Sequence, residues 1–297
     1  PSYTFVSTAN AFVLRGARPV LADVDASGNL DLPEVERLRT ARTRAVCTVH
    51  YAGNSCDMEE LAAAASGLPI VEDAAQTLGA SFRGRPLGTF GVAGTLSFHE
   101  TKNVGCGEGG ALVLSEPRLV ERAEYIREKG TNRRRFHQGL VDKYTWVDVG
   151  SSYVLSELNA AYLLPQLEAF PRIQARRRAV FEAYRGALGG PAERAGVQVV
   201  GPNPRGEGNF HLFALVFRRP EHRTAYIAQM RAHGILTPFH YVALHLSPMG
   251  QRFHDGRPLP VSERLTHCLV RLPLFFNITD AEVDAVVGRT LEFLGGL

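Results

Sequence analysis

The order of apolar and polar positions in the first half of the chain predicts alternating strands and helices. Apolar, β-branched runs at Ala45–Val49 and Leu68–Val71 both end abruptly in polar residues. Between them, Met58–Ala65 is rich in alanine, which is typical of a helix. Nearly continuous apolar strands that alternate with helices predict an α/β fold, with a mostly parallel sheet covered by helices on both faces.

The pattern changes in the second half of the chain. A long helical stretch interrupted by two prolines is predicted for Ser156–Tyr184, and a Gly/Pro-rich segment follows at Gly189–Gly208. Phe210–Phe217 then predicts a buried strand, after which helical patterns dominate. We therefore expect a large domain at residues 1–168 and a smaller α+β domain at residues 169–297.

Composition excludes few classes of protein. The 297 residues are 45% apolar and 21% charged, as in ordinary globular proteins, and the net charge of +3 is too small to predict nucleic-acid binding. No apolar run is long enough to span a membrane. The four scattered cysteines predict free thiols and a cytoplasmic location. The chain begins at Pro1 in what reads as the middle of a fold, so we expect a preceding N-terminal segment.

One glycine run has the spacing G-x-G-x-x-G, at Gly105, Gly107 and Gly110. A dinucleotide-binding loop requires a strand before the glycines and a helix after them, so that the phosphates meet the N-terminus of the helix. Here the predicted strand Thr95–Phe98 ends several residues earlier, and another apolar strand follows Gly110. The run is therefore interpreted as a turn between two strands.

Metal and nucleic-acid sites are not predicted. His99 is followed by a glutamate but lacks a second histidine one helical turn later, and His240 and His245 lie in a loop without a nearby carboxylate or cysteine. The short basic runs Arg133–Arg135 and Arg176–Arg178 are more typical of solvated surfaces than of a nucleic-acid interface.

A lysine and an aspartate are the strongest candidates for chemistry, because in such sheets ligands bind at the carboxyl ends of strands. Lys102 follows a predicted buried strand, where partial desolvation would lower its pKa from about 10.4 and favour the nucleophilic amine. Asp73 follows the apolar run before it, where a carboxylate is costly unless a cation needs it. A pyridoxal phosphate enzyme requires this pair. The spacing alone leaves open that both are ordinary loop residues.

Eight motifs in order carry a resemblance to a known family, and they are PSYTFVSTANAF, VHYAG, VEDAAQ, SFHETKN, GEGGA, EKGTNR, DKYTW and FHYVALH. Together they resemble the DegT/StrS-type nucleotide-sugar aminotransferases over essentially the whole chain. The resemblance implies an aspartate aminotransferase-like (fold type I) PLP-dependent transferase. It also implies a homodimer whose active sites lie at the subunit interface.

The resemblance assigns cofactor roles to residues at three strand ends. Lys102 is expected to hold the cofactor aldehyde and to shuttle the proton of the reaction, and Asp73 to pair with the pyridine nitrogen. Gln76 is expected to contact the ring or its phenolic oxygen, and Ser97 to bind the phosphate. Phe5 is expected to stack on the ring.

Two departures concern the phosphate. The family usually has an asparagine that reaches the phosphate from the second subunit, and here that position is Ser152, whose hydroxyl can still donate. The family also has a phosphate-cradling turn at a helix N-terminus ahead of the PSYTF segment, which precedes the first residue here.

For the substrate, the resemblance implies a dTDP-4-keto-6-deoxyhexose with glutamate as amino donor. The residues expected to bind it are Tyr3 (which also rivals Phe5 for stacking), His99, Lys143, Tyr144, Trp146, His240, Tyr241 and His245. A 3-keto sugar nucleotide, a keto-cyclitol and a non-catalytic pyridoxal phosphate-binding relative remain open alternatives.

Overall fold

The computed structural model of the protein describes residues 1–201 and 203–297. The α-helices in these residues are α1 (Val6–Val13), α2 (Leu32–Leu38), α3 (Met58–Ala65), α4 (Pro117–Arg127), α5 (Arg133–His137), α6 (Glu157–Glu168), α7 (Phe170–Arg194), α8 (Pro220–Ala232), α9 (Pro260–Cys268) and α10 (Asp280–Leu294). The β-strands are β1 (Val46–Val49), β2 (Ile70–Asp73), β3 (Ser81–Phe82), β4 (Arg85–Pro86), β5 (Ala93–Ser97), β6 (Gly110–Leu114), β7 (Gln198–Val199), β8 (Gly206–Glu207), β9 (Phe213–Val216) and β10 (Leu269–Leu272).

The first sheet has the strand order β1-β2-β5-β6. The β1/β2 and β2/β5 pairs are parallel and the β5/β6 pair is antiparallel, so the sheet is mostly parallel, as predicted. Its register places Asp73 beside both Val49 and Thr95. The carboxyl ends of β1, β2 and β5 therefore share one edge, and the predicted polar clusters lie there.

Helix α3 shows how local sequence sets this layer. It begins after Asp57, whose side chain accepts the Glu60 amide at 3.0 Å, and it ends at Ser66, which is left-handed with φ of 50°. Leu61 is fully buried in a core cluster that includes Val46 of β1. The helix therefore covers one face of the sheet with its apolar positions.

The second sheet, β10-β9-β7, is antiparallel and separates two cores. Phe213 and Leu215 of β9 belong to a core with α7, α8 and α10. The alternate residues Ala214 and Val216 pack in a second core that includes Tyr51. Because strand side chains alternate between faces, β9 joins the C-terminal core to the residues around the first sheet.

The helical region differs from its prediction in two respects. One of the two prolines, Pro165, lies inside α6, and the break falls at Ala169, between α6 and α7. Helix α7 also continues to Arg194, into the segment predicted as a Gly/Pro-rich separator. Leu188 and Ala192 are fully buried in the C-terminal core, so tertiary packing outweighs the poor helix propensity there. The domain boundary at residues 168/169 stays a prediction.

Candidate active site

The loop between β5 and β6 carries Lys102. Its backbone amide donates to the His99 carbonyl at 2.9 Å. A Cβ at Gly105 would lie 2.6 Å from that same carbonyl oxygen, so only glycine permits this close approach. Gln166 of α6 exchanges hydrogen bonds with the backbone of Gly105, at 3.1 and 2.6 Å. The glycines therefore shape a turn that returns the chain to the sheet at β6.

The Lys102 amine is the reactive group of this loop. Burial lowers its pKa below the ordinary lysine value, the negative charge of Asp73 opposes that shift, and the positive charge of Arg271 adds to it. Among the described residues, Nζ has no hydrogen-bond partner and no carboxylate within ion-pair distance. A fraction of neutral, nucleophilic amine is therefore accessible at lower pH than for a free lysine.

Asp73 ends β2 and has its carboxylate held by two donors. Thr8 Oγ1 of α1 donates to Oδ2 at 2.5 Å, and the Ala75 amide donates to Oδ1 at 3.1 Å. Thr8 also shares a hydrogen bond with the Thr4 hydroxyl at 2.9 Å. Sequence reasoning missed Thr8. The available signal was a threonine among small residues in the predicted cofactor motif STANAF.

Gln76 and Ser97 both line a small cavity together with Lys102. The Gln76 amide is already bonded within the chain, because its Oε1 accepts the Ala52 amide at 2.8 Å and its Nε2 donates to the Tyr241 hydroxyl at 3.0 Å. Gln76 therefore ties Tyr241 to the edge of the first sheet. Its predicted contact with the cofactor stays a prediction.

The structure distinguishes the two aromatic candidates for ring stacking. Tyr3 is fully buried, with its ring centroid 5.3 Å from that of Tyr51 and 5.9 Å from that of Tyr241. Phe5 is 56% exposed and lies 6.1 Å from the Tyr241 ring. In the single chain Tyr3 therefore packs among aromatic side chains and has no exposed face, and the roles predicted for it stay predictions. Phe5 has the free face that its prediction requires.

The predicted histidines of the C-terminal region also differ from each other. His240 Nδ1 shares a hydrogen bond with the Tyr51 hydroxyl at 3.1 Å, and burial lowers the pKa of its imidazole, so the ring is neutral. His245 is buried, and its Nδ1 bonds Ser2 Oγ at 2.7 Å while Nε2 lies 3.4 Å from Glu263. His245 thus joins Ser2 to Glu263 of α9, and its predicted role in substrate binding stays a prediction.

Two further polar residues beside Lys102 were not predicted as site residues. His211 lies near the start of the apolar run Phe210–Phe217 and is buried. Its Nδ1 shares a hydrogen bond with Asn103 Oδ1 at 2.9 Å. Asn103 Nδ2 in turn donates to the Asn209 carbonyl at 2.9 Å. Burial and the charge of Lys102 lower the pKa of His211, so it is a neutral group beside the lysine. A histidine in the run FHLFALVF was the signal in the sequence.

The sequence model of the DegT/DnrJ/EryC1/StrS aminotransferase family matches residues 1–290. The chain belongs to this family. As a family member it is a pyridoxal phosphate-dependent sugar aminotransferase of fold type I, which confirms the predicted fold class, cofactor and type of reaction.

Solved structures of similar proteins agree with this assignment. The aminotransferase TlmJ from Streptoalloteichus hindustanus is 30% identical, with a TM-score of 0.89 over 100% of this chain and 78% of that chain. DesV from S. venezuelae, solved in complex with a ketimine intermediate, is 32% identical, with a TM-score of 0.88 over 99% and 77% of the two chains. The sugar aminotransferase CalS13 from Micromonospora echinospora is 27% identical, with a TM-score of 0.87 over 98% and 79%.

The residues of this DegT-family chain fit pyridoxal phosphate. Lys102 provides a partly buried amine whose Nζ is free of partners among the described residues. Asp73 provides an oriented carboxylate at the end of the neighbouring strand, and Ser97 provides a hydroxyl in the same cavity as Lys102. These groups match the aldehyde, the ring nitrogen and the phosphate of the cofactor.

Four other predicted residues lie away from this edge, in an exposed segment after α5. Trp146 is 79% exposed and Tyr144 is 55% exposed, while Lys143 and Ser152 are also exposed. Within the described part of one chain, none of the four has a hydrogen bond to Lys102 or Asp73. Their predicted roles depend on a second subunit and stay predictions. His99 lies closer, at the lysine loop, where its Nδ1 shares a hydrogen bond with Thr101 at 2.9 Å.

In residues 1–201 and 203–297, no three His, Cys, Asp or Glu side chains come together in a way that could hold a metal ion. No helix there combines the length and the apolar character needed to cross a membrane.

Proposed function

We propose that this DegT-family aminotransferase moves an amino group from glutamate to the C4 keto carbon of a dTDP-4-keto-6-deoxyhexose, giving dTDP-4-amino-4,6-dideoxyhexose. The observation that carries the chemistry is the partly buried Lys102 amine beside the oriented carboxylate of Asp73. The choice of sugar nucleotide is supported by the eight motifs taken together, which resemble those of enzymes acting on that substrate.

Pyridoxal phosphate, when bound, supplies an aldehyde and an electron-withdrawing ring. The residues of the chain then orient the groups and move protons. Asp73, fixed by Thr8 and the Ala75 amide, places negative charge where a protonated ring nitrogen needs it. Lys102 Nζ would accept the proton from the α-carbon of the donor and later deliver a proton to C4 of the sugar, and its lowered pKa increases the fraction of amine that can accept a proton.

The nucleotide is proposed to bind the exposed segment of a second subunit. Tyr144 and Trp146 offer aromatic faces for a base, and Lys143 offers a charge for phosphate. His240 and Tyr241 approach the site from the C-terminal region, where Tyr241 is already held by Gln76. This arrangement supports a site that is shared between two copies of the chain.

A homodimer is proposed on the same grounds. About half of the large exposed apolar side chains of the described residues fall between residues 136 and 167, including Leu158 at 84% and Tyr162 at 66% exposure. A high density of exposed apolar side chains in one segment is typical of a surface that binds another protein chain. Ser152 lies within it, as expected for a residue that reaches the partner's phosphate site. A cytoplasmic location is also proposed, because Cys47, Cys56, Cys106 and Cys268 are all free thiols.

The proposal is tested by identifying the product. Purified enzyme with pyridoxal phosphate and glutamate is incubated with dTDP-4-keto-6-deoxyglucose, and the amino sugar is characterised by NMR, which also assigns the configuration at C4. A dTDP-3-keto-6-deoxyhexose and a keto-cyclitol are assayed in parallel. Faster turnover of either alternative would replace the proposed substrate.

A further inference from the structure

The loop that carries Lys102 is only partly held by its own backbone. Its two arms are joined where the Cys106 amide donates to the Phe98 carbonyl at 2.7 Å. At the tip of the loop, residues 101–105, the described structure contains one backbone–backbone hydrogen bond, from the Lys102 amide to the His99 carbonyl at 2.9 Å. The position of the tip therefore depends on groups outside the loop.

Gln166 of α6 supplies two of these outside contacts. Its Oε1 accepts the Gly105 amide at 3.1 Å, and its Nε2 donates to the Gly105 carbonyl at 2.6 Å. The same Nε2 also donates to the Tyr162 carbonyl, one turn earlier in α6, at 3.2 Å, which orients the amide toward the loop. Gly105 lies against the His99 carbonyl, the acceptor of the Lys102 amide. Gln166 thus fixes Gly105 against the group that orients the lysine backbone.

One face of α6 is devoted to the lysine loop. Asn159, Leu163 and Gln166 are spaced i, i+4 and i+7, so they lie on the same side of the helix. Asn159 Nδ2 donates to the Glu108 carbonyl at 2.8 Å, and Leu163 is buried in a cluster that includes Val104. The helix therefore contacts the loop through a polar, an apolar and a second polar side chain.

A separate set of contacts holds the residue that follows the lysine. Asn103 Nδ2 donates to Gln174 Oε1 at 3.2 Å and to the Asn209 carbonyl at 2.9 Å, and its Oδ1 shares a hydrogen bond with His211. These contacts do not involve Gln166. We therefore expect a substitution of Gln166 to loosen the Gly105 side of the tip while the other side stays attached.

We propose that Gln166 is a positioning residue that acts through Gly105 to hold the Lys102 amine in its half-buried place at the edge of the first sheet. This inference rests on the role proposed for Lys102 in the aminotransferase reaction. Among the described residues Gln166 has no hydrogen bond to Lys102 itself, so its effect is on the loop. A loosened tip would expose the amine to water, and its lowered pKa would rise toward the ordinary lysine value.

The first experiment observes the lysine in the cofactor-free enzyme. The sequence contains three lysines, Lys102, Lys129 and Lys143, so carbon-13 NMR after reductive methylation gives few side-chain signals. The signal of Lys102 is the one that disappears in Lys102→Arg. In Gln166→Met, which keeps the length of the side chain but neither hydrogen bond to Gly105, this signal should titrate at a pH at least about 0.5 higher than in wild type. The other two signals should not change.

The kinetics of the holoenzyme give a second readout. In Gln166→Met, kcat should fall roughly 10- to 100-fold, while the KM values for glutamate and the keto sugar stay within about threefold. Thr290→Val is the control for a lost buried hydrogen bond, because Thr290 bonds the Tyr226 hydroxyl at 2.8 Å in the C-terminal core. It should lower the thermal stability and leave both the Lys102 titration and kcat unchanged.

A folded Gln166→Met enzyme with a wild-type Lys102 titration or a wild-type kcat would overturn the proposal. Losses that appear only when light scattering shows dissociation of the proposed dimer would overturn it too, since Gln166 would then act on assembly. If Gln166→Met does not fold, Gln166→Asn decides by the same comparison, because its amide is one methylene too short to bridge both groups of Gly105.

The role of Lys102 itself is tested separately. Borohydride reduction of the wild-type holoenzyme should fix a pyridoxyl group on Lys102. Absence of that group would refute the role proposed for the lysine, whereas the NMR titration of the cofactor-free enzyme would still show whether Gln166 positions its side chain.

Discussion

The edge of the first sheet that carries Lys102 and Asp73 differs from the segment of residues 136–167. The difference lies in how many of their side chains are hydrogen-bonded or buried within one chain. At the edge, Asp73 is held by Thr8, and Gln76 is bonded at both ends. In the segment, Trp146 and Leu158 are 79% and 84% exposed. The comparison shows that Asp73 and Gln76 are hydrogen-bonded within one chain, whereas the residues proposed for the nucleotide present surfaces that one chain leaves uncovered.

The largest expected effect comes from the lysine itself. Lys102→Arg should lower turnover by at least about 10³-fold, because a guanidinium stays protonated and supplies neither a nucleophile nor a proton acceptor. Stopped-flow absorbance of the glutamate half-reaction measures this directly. Arg185→Lys, at an exposed pair with Glu182, is the control and should keep wild-type rates. Turnover above a tenth of wild type in a folded Lys102→Arg enzyme would show that the chemistry lies elsewhere.

A second variant tests whether charge or mere positioning matters at β2. Asp73→Asn keeps the shape and an acceptor for Thr8 but removes the negative charge, so kcat should fall roughly 100-fold, about 2–3 kcal/mol in activation free energy. Thr8→Val removes one donor to the carboxylate and should cost at most roughly tenfold. Equal losses in the two variants would mean that Asp73 acts only by holding α1 in place.

The sequence predicted this edge well because its signals are local. Asp73 and Lys102 each follow an apolar run, and in a parallel sheet the ends of neighbouring strands meet. Their roles came from motif resemblance rather than from spacing. The same local reasoning placed α3 at its observed bounds, Met58–Ala65, because its cap and apolar positions lie within one short window.

Features that depend on distant contacts were not predictable. The C-terminal core buries Leu188 and so carries α7 past two glycines, against their propensity. The motif PSYTF does not show whether Tyr3 is buried, and the structure buries it completely, with its ring packed against Tyr51 and Tyr241. Among the described residues the buried Nε of Arg271 has no hydrogen-bond partner, which the strand sequence LVRL by itself does not show.

The buried carboxylate of Glu72 shows what complete hydrogen bonding within the chain contributes to stability. Glu72 accepts the amides of Gly88, Phe90 and Gly91 at 2.7, 2.6 and 2.7 Å, and His50 Nε2 lies 2.9 Å away. Burial alone would raise its pKa, but the hydrogen bonds from His50 and the amides lower it overall. Glu72→Gln should therefore lower the free energy of unfolding by about 2–3 kcal/mol at pH 7.

The lowered pKa of Glu72 also predicts how its contribution to the free energy of unfolding changes with pH. The folded pKa of Glu72 lies below the unfolded value of about 4.3, so its contribution is full above that pH and is lost as pH falls through the folded pKa. Urea unfolding of wild type and Glu72→Gln should thus show a gap that is constant near neutrality and narrows below about pH 4. A gap that widens on acidification would contradict the lowered pKa.

The smallest expected effect concerns the exposed segment of residues 136–167. Leu158→Glu, in the first turn of α6, should weaken self-association by about 1–2 kcal/mol, because a buried carboxylate would replace apolar contact in the proposed dimer. Light scattering at decreasing concentration measures the dissociation, and Leu291→Glu on α10 is the control. Since Lys102 and Asp73 belong to one chain and the nucleotide residues are proposed to come from the other, dilution of Leu158→Glu should raise the KM for the keto sugar before it slows the half-reaction with glutamate. If both parameters changed together, the two halves of the site would not be divided between subunits in this way.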